Sequence, residues 1–485
     1  MRRSFLLITS FFFIIHTQAT RFYVSNDGND SNSGLSETSS FETLQHASDI
    51  VSPGDSVIVL PGAYTGFYHT TSGTSSQRIT FSAQPGVFIN EPNDITDDGI
   101  NMEGSSYITV EGFTVNDMPR TGIRSVENTH VIIRNNSMDN CGVWGILTGF
   151  SENILIENNQ CSNSGDEHGI YFSNSADNPV IRGNISWGNY ACGIHMNGDI
   201  SLGGDGIISN ALVENNICFD NGLGGGSSIN CDGVQNSTFR NNVIYNAHAS
   251  GIALFRIDAG GPSKNNVIVN NTILQADNGR WGILINGGSI NNIVFNNIIY
   301  SYHSFRGSIS IEPGSMAGFH SNYNIVTDRM STDDGSSNMS LNDWKNETAQ
   351  DSNSIIAEPG EIFFDVSGDD YHLSSSSPGI DLGVNSYYGI LAPITDNEGN
   401  IRPAGLSYDA GAYEYGSVTG VEDIMMSDRI DENTVLLLFD MQGKFILKVV
   451  KKDLPQIKLS HGMYVYAGHD AITHQLVSGK LQIMK

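Results

Sequence analysis

Apolar residues along this chain come in short alternating runs, and two recurring steps punctuate them. The first is a Gly-Ile pair, found at Gly99-Ile100, Gly122-Ile123, Gly145-Ile146, Gly169-Ile170, Gly193-Ile194, Gly251-Ile252 and Gly282-Ile283. The glycine intervals are 23, 23, 24, 24, 58 and 31. The interval of 58 holds one further unit, in which Ser228-Ile229 takes the Gly-Ile position. The second step is an asparagine pair: Asn135-Asn136, Asn158-Asn159, Asn215-Asn216, Asn241-Asn242, Asn270-Asn271 and Asn296-Asn297. A period in the low twenties built from short strands, with no helical stretch between them, predicts stacked turns of a parallel β-helix.

One such coil cannot bury its apolar side chains alone. Stacking at roughly 4.8 Å per coil turns equivalent positions into ladders. Ile100, Ile123, Ile146, Ile170, Ile194, Ile229, Ile252 and Ile283 form one expected interior ladder, and residues 98–300 are expected to make eight coils. A second strand per coil reads Val131-Ile133, Ile154-Ile156, Val180-Ile181, Leu212-Val213, Val267-Val269 and Ile293-Phe295. The asparagines follow it at a turn, where Asn tolerates left-handed backbone and its amides can stack as a hydrogen-bonded ladder. Helix is expected mainly between Phe41 and Val51, with Leu44, Ala47, Ile50 and Val51 on one face covering the open end of the core.

Arg2 and Arg3, the apolar run Leu6 to Ile15 and Thr17-Gln18-Ala19 read as a secretion signal. The run is too short to span a membrane and no later segment is long enough, so no transmembrane segment is expected. The chain carries a net charge of −28. Residues 423–485 hold eight Lys/Arg against seven Asp/Glu, which leaves −29 on the remainder. Such a body repels nucleic acid, and it accepts a polyanionic glycan only where arginine or a bound cation inverts the local field. The five cysteines, an odd number, read as buried small hydrophobes; Cys161 and Cys218 share a turn position but sit two strand spacings apart, too far for a disulfide.

Three segments resemble known families. Phe22-Tyr23-Val24-Ser25, Asp27-Gly28-Asn29-Asp30, the Phe41-x-Thr43-Leu44-Gln45-x-Ala47 run and Gly54-Asp55-x-Val57 are similar to the start of secreted right-handed β-helix proteins of the pectin-lyase type, many of them polysaccharide lyases. Tyr371-His372-Leu373, Ser377-Pro378-Gly379-Ile380-Asp381, Asp396-x-x-Gly399-x-x-Arg402 and Asp409-Ala410-Gly411-Ala412-Tyr413-Glu414 resemble the segment that closes such helices. Asp440-Met441-Gln442-Gly443-Lys444, Leu459-Ser460-His461-Gly462-Met463-Tyr464 and the terminal Lys480 to Lys485 resemble the C-terminal sorting domain of Bacteroidetes type IX secretion.

The resemblance implies an all-β chain: a right-handed parallel β-helix solenoid with an N-terminal helical cap and a small C-terminal β-sandwich-like sorting domain. It divides the chain into a signal peptide (1–19), an N-terminal cap with the first coils (20–97), repeats (98–300), C-terminal coils and cap (301–415), a linker (416–422) and the sorting domain (423–485). It also implies export through the type IX machinery, so that the chain is secreted or attached at the cell surface, as a monomer. It names no reaction, because lyases, hydrolases, epimerases and adhesins share this fold.

Candidate chemistry comes from strand alternation. With each Ile inward, the next residue and the third point outward. The first outward ladder is Asn101, Arg124, Leu147, Tyr171, His195, Asn230, Ala253 and Leu284; the second is Glu103, Val126, Gly149, Ser173, Asn197, Asp232, Phe255 and Asn286. Their polar centre coincides with the longest insertions, at 198–209, at 220–228 and around Arg256 to Gly261, and adjacent insertions build binding faces. A β-eliminating lyase needs a base and a positive group or cation beside the uronate carboxylate. His195 or His168 would be the base, Arg256 the cation, and Asp232 an acid beside Arg256. Tyr171, Asn197 and Asn230 would bind substrate.

Asp199, Asp205 and Asp258 would alternatively hold Ca²⁺, the one cofactor expected, with no organic cofactor. A glycoside hydrolase would instead use Asp232 with Asp199 or Asp258 as its carboxylate pair. The third reading is a non-catalytic, glycan-binding or adhesive surface. The chain departs from lyases with a lysine base, since Lys264 and Lys345 are its only lysines between Arg21 and Asp440.

Overall fold

A computed structural model describes residues 19–416 and four further strands within 435–483. Residues 1–18, which carry the expected secretion signal, and residues 417–434, most of the expected linker included, lie outside the described residues.

Three long parallel sheets wind around one core. The first, built on the Gly-Ile steps, has eleven strands from Phe67–His69 to Met330–Ser331. The second, which ends at the asparagine turns, has twelve from Arg21–Val24 to His320–Asn322. The third, after those turns, has twelve from Gly62–Thr65 to Ile355–Ile356. Winding therefore begins at the first described strand and runs past residue 300, where the sequence period fades.

The isoleucine ladder is in register through Ile100, Ile123, Ile146, Ile170, Ile194, Ile229, Ile252 and Ile283, and every one is fully buried. Ser228-Ile229 takes the expected place in it. Where glycine precedes the isoleucine the coils approach closely: a Cβ on Gly145 would stand 2.6 Å from the carbonyl oxygen of Gly169 in the next coil.

In the three-residue strands of the second sheet the middle residue points inward, giving Ile133, Ile156, Ile181, Val213, Phe239, Ile268 and Val294 in line with Val110, whereas the longer first strands supply two inward residues each, as Ile108 and Val110 do. In the runs Val267-Val269 and Ile293-Phe295 the inward residues are therefore Ile268 and Val294. Val267, Val269 and Phe295 face out and are buried by Ala392 and Tyr408, which fold back over the flank.

The asparagine turns behave as predicted. The first of each pair is left-handed, with φ between 53° and 58°. The second is buried and forms a ladder. Asn136, Asn159, Asn184, Asn216, Asn242, Asn271 and Asn297 each donate their backbone N–H to the Oδ1 of the next rung, ending on Asn324. Each Nδ2 also donates to a strand carbonyl of the preceding coil, as Asn216 does to Ile181 at 2.9 Å.

The N-terminal helix spans Leu44–Ile50, capped by the Thr43 hydroxyl, which accepts from His46 N. Leu44, Ala47 and Val51 are buried as expected, whereas Ile50 is exposed. A second helix, Leu341–Thr348, was not expected: Ser340 caps it by accepting from Asp343 N, and Trp344 is fully buried across the other end of the core. Residues 380–412 then run back outside the coils. Asn241 Nδ2 donates to Thr395 O, Asn270 Nδ2 to Asp409 O, Asn296 Nδ2 to Val384 O, and Ala412 N to Thr272 Oγ1. Arg402 is buried beneath this strap, paired with Glu414 at 3.1 Å. All five cysteines are free and buried.

The tail strands Val435–Asp440, Phe445–Val450, Gly462–His469 and Leu476–Ile483 form one antiparallel sheet, with the first two adjacent and the third between the first and the fourth. Among the described residues this is a single sheet rather than a sandwich.

Candidate functional site

The outward ladders of the first sheet fall in the expected register: Tyr171 pairs with His195 and His195 with Asn230, while Ser173, Asn197 and Asp232 follow one another beside them. Two of the insertions wall this face. Residues 198–209 leave the end of strand Ile194–Asn197 and dock on the Arg256–Gly261 loop, with Ile200 N donating to Asp258 O and Gly260 N to Gly206 O. Residues 220–228 enter the opposite end of the next strand, and Gly224 N donates to Tyr190 O.

Between the walls lies an aromatic row. Trp144 and Tyr171 stack with ring centroids 5.9 Å apart, and Tyr171 stacks on His195 at 5.0 Å. His168 meets Tyr171 edge-on at 5.1 Å and lies 4.6 Å from His195. A groove of about 430 Å³ opens along the row, lined by Arg120, Arg124, Trp144, Glu167, Tyr171 and Leu202 among others. Arg124 Nη1 donates to Asn101 Oδ1 and Glu103 Oε2, and its side chain keeps one-fifth of its surface exposed. Arg120 grips the buried carboxylate of Asp98 through Nε and Nη2. Glu167 accepts from Trp144 Nε1 at 2.8 Å and faces His168 Nε2 at 3.4 Å.

Local bonding sets the state of each group. His168 Nδ1 accepts from Cys192 N at 3.2 Å, so its lone pair is engaged and its other nitrogen carries the proton. This corrects its placement as a free base. Burial, and then the neighbouring His195, hold its pKa well below the ordinary histidine value. Burial lowers His195 to about 4, so both imidazoles are neutral at pH 7. His195 Nδ1 lies 3.2 Å from Asn230 O and 2.9 Å from the Asn230 amide. Burial raises the Tyr171 phenol to about 12, and Asn197 Nδ2 donates to its oxygen at 3.4 Å.

The remaining expected residues do not converge. Asp232 is not paired with Arg256. Its two oxygens accept from Ile257 N and Asp258 N, and it is almost fully buried beneath the loop it caps. Arg256 points outward, with only a 3.4 Å bond from Nε to Ala259 O. Asp199 is committed to Ser201 N and Oγ, and Asp205 to Ile207 N, as short side chains in turns commonly are. Asp199, Asp205 and Asp258 therefore do not gather as a ligand set. Among the described residues the one grouping of three metal-competent side chains is His168, Cys192 and His195.

Trp144, Arg120 and Glu167 were missed by counting outward positions only forward from each isoleucine. The slot before each glycine is also a ladder, running Asp98, Thr121, Trp144, His168 and Cys192. Its tryptophan, histidine and cysteine on three consecutive repeats were the available signal.

Residues 98–259 match the family model described as a right handed beta helix region. No curated protein matches the chain. Among solved structures it is similar to pectate lyase Pel9A, at 16% identity and a TM-score of 0.55 over 82% of this chain and 97% of that one. It is also similar to an alginate lyase from Paenibacillus sp. str. FPU-7, at 20% identity and a TM-score of 0.43 over 55% of this chain and 93% of that one. At these identities the likeness establishes the architecture, a right-handed parallel β-helix.

Proposed function

We propose that this chain acts on extracellular polysaccharide and cleaves uronate-containing glycan by β-elimination in the groove beside Trp144 and Tyr171. The observation that carries the reading is the coincidence, in one groove, of an aromatic platform, two arginines, a half-exposed carboxylate and a protonated phenol. A flat glycan-binding surface needs the platform alone. The acid–base groups are what elimination adds.

In this reading Arg124 faces the uronate carboxylate, with Arg120 beside it. Glu167, held by Trp144 and His168, takes the C5 proton. The C5–H electron pair becomes the C4=C5 double bond as the C4–O bond breaks. The departing oxygen takes the phenolic proton of Tyr171. The stacked His195 fixes the Tyr171 ring. The name of pectate lyase Pel9A denotes a lyase acting on pectate, which agrees with this reading. Secretion, surface attachment through the type IX machinery and action as a monomer complete the proposal.

The test incubates the purified chain with pectate, alginate and rhamnogalacturonan and follows both ultraviolet absorbance of the unsaturated product and new reducing ends. Absorbance and reducing ends rising together are expected. Reducing ends without absorbance would make the chain a hydrolase, and retention on a polysaccharide column with neither signal would make it a binder.

A further inference from the structure

We propose that His168, Cys192 and His195 form a binding site for Zn²⁺. One ligand atom from each residue lies within 4.8 Å of the other two, and all three residues are buried. Ligands of tetrahedral zinc at about 2.0–2.3 Å from the metal stand roughly 3.3–3.8 Å apart, so the set closes on the ion by small side-chain rotations.

Three observations set this group apart from packing. The first is the cysteine. Cys141, Cys161, Cys218 and Cys231 all belong to the central hydrophobic core, whereas Cys192 does not. It occupies the outward slot before Gly193, one coil beyond His168, and Gly169 N donates to its carbonyl at 3.0 Å.

The second is how the imidazoles are held. His168 Nε2 faces the Glu167 carboxylate at 3.4 Å, and His195 Nδ1 lies 3.2 Å from the Asn230 carbonyl and 2.9 Å from the Asn230 side-chain amide, which must present its oxygen when Nδ1 carries the proton. Metal-bound histidines commonly donate their second N–H to such acceptors, which fixes the tautomer and aims the other nitrogen. That assignment leaves His168 Nδ1 and His195 Nε2 as the ligating atoms. His168 Nδ1 exchanges its 3.2 Å bond from Cys192 N for the metal.

The third is the covering loop. Gly226 has φ 88°, and a Cβ there would stand 2.5 Å from Cys192 Sγ, so the glycine-rich insertion closes over the sulfur without a side chain.

The donor chemistry selects the cation. Two imidazoles and a thiolate are borderline-soft ligands that suit zinc and reject Ca²⁺ and Mg²⁺. Three protein ligands leave a fourth position for water. Binding requires the thiolate, so the Cys192 proton is released to solvent as the S–Zn bond forms.

The site shares His168 and His195 with the groove, where they hold Glu167 and the Tyr171 ring, but its test reads metal binding and no turnover, so its failure and that of the polysaccharide reading are distinguishable. The purified full chain, stripped with a chelator, is titrated with Co²⁺ and Zn²⁺ and desalted, and bound metal is measured by atomic emission. We expect one equivalent of either metal, a thiolate-to-cobalt charge-transfer band, and displacement of that band by Zn²⁺. Cys192→Ser should abolish the band and weaken zinc at least 100-fold with an unchanged melting temperature of the metal-free protein, and Cys161→Ala should retain both the band and the zinc affinity. Sub-stoichiometric metal, cobalt bound without a thiolate band, or full zinc affinity in Cys192→Ser would overturn the proposal. The wild-type cobalt spectrum decides the matter alone should Cys192→Ser not fold.

Discussion

Replacing Asn216 by alanine is the sharpest test of what holds the coils in register. Asn216 Oδ1 accepts from Asn184 N and Asn184 Nδ2, and its Nδ2 donates to Ile181 O and Asn242 Oδ1, all at 2.9–3.0 Å. Asn184 Nδ2 keeps its bond to Ile156 O, and Asn242 Oδ1 still accepts from the residue 216 backbone. The truncation therefore orphans one buried N–H, that of Asn184, while the Ile181 carbonyl loses its side-chain donor but stays in the backbone ladder with the strand Leu212–Glu214. At about 1–3 kcal/mol for the orphaned group and about 0.5–1.5 kcal/mol for the side-chain bond lost at Ile181, the loss should be about 1.5–4.5 kcal/mol. Asn216→Leu, which fills the volume but restores neither bond, should cost as much. The comparison is Asn158→Gly, in an exposed left-handed residue at φ 55° that glycine adopts freely, where the change should stay below about 1 kcal/mol. Urea unfolding followed by circular dichroism gives all three. A cost for Asn216→Ala no larger than for Asn158→Gly would refute the ladder as an energetic element and leave the turn conformation to set the register.

Ile194→Asp should leave no folded protein, because it puts an unpaired charge into a fully buried ladder; soluble, cooperatively melting protein would contradict this. Tyr171→Phe should lower kcat at least about 100-fold with little change in KM, whereas Trp144→Ala should mainly raise KM, and steady-state kinetics on the substrate found by screening would separate them. Burial pushes the carboxyls of Asp409 and Glu414 up to about 6 and about 8. The folded state thus keeps protons that the unfolded state gives up near pH 4, so this stabilisation is complete below pH 4 and is lost as pH rises through 6 to 8. Unfolding between pH 5 and pH 7 should therefore release protons, read from the dependence of calorimetric enthalpy on buffer ionisation; no release would sink the assignment. Removing residues 423–485 should leave the melting of the solenoid unchanged and abolish surface display in the native host, and normal display would refute the sorting role.

The fold was legible because a solenoid repeats its local physics. The Gly-Ile step, the left-handed asparagine and the alternating strand each mark the same place in every coil, so even Ser228-Ile229 could be placed by register. The site was legible only in part, for a related reason. Tyr171, His195 and Asn230 stack on adjacent coils because the ladder demands it. Asp232 lies on the same outward face, but what it meets is decided by a loop folding back from residues 257 and 258, and no period encodes that return. The same holds for Val267 and Val269, whose outward side chains are covered by a segment more than a hundred residues later. Trp144 and Cys192 were hidden differently: the corner before each glycine breaks simple alternation, so a count begun at isoleucine passes over the ladder they belong to. Leu341–Thr348 lies where the period has ended, and its signal, a serine cap ahead of a single tryptophan, is short.

The strap over the last coils changes how the stack comes apart. A one-dimensional array of repeats ordinarily frays from both ends, one unit at a time, because a terminal unit has a single neighbour. Residues 380–412 clasp Asn241, Asn270 and Asn296 on three consecutive coils. None of these coils can leave until the strap does, and once the strap is gone all three lose outer contacts together. The C-terminal end should open as one block with nearly uniform amide-exchange protection, while the N-terminal end, closed by a seven-residue helix, opens gradually. Wear on this molecule, whether from proteases or heat, would then begin at the end from which winding starts.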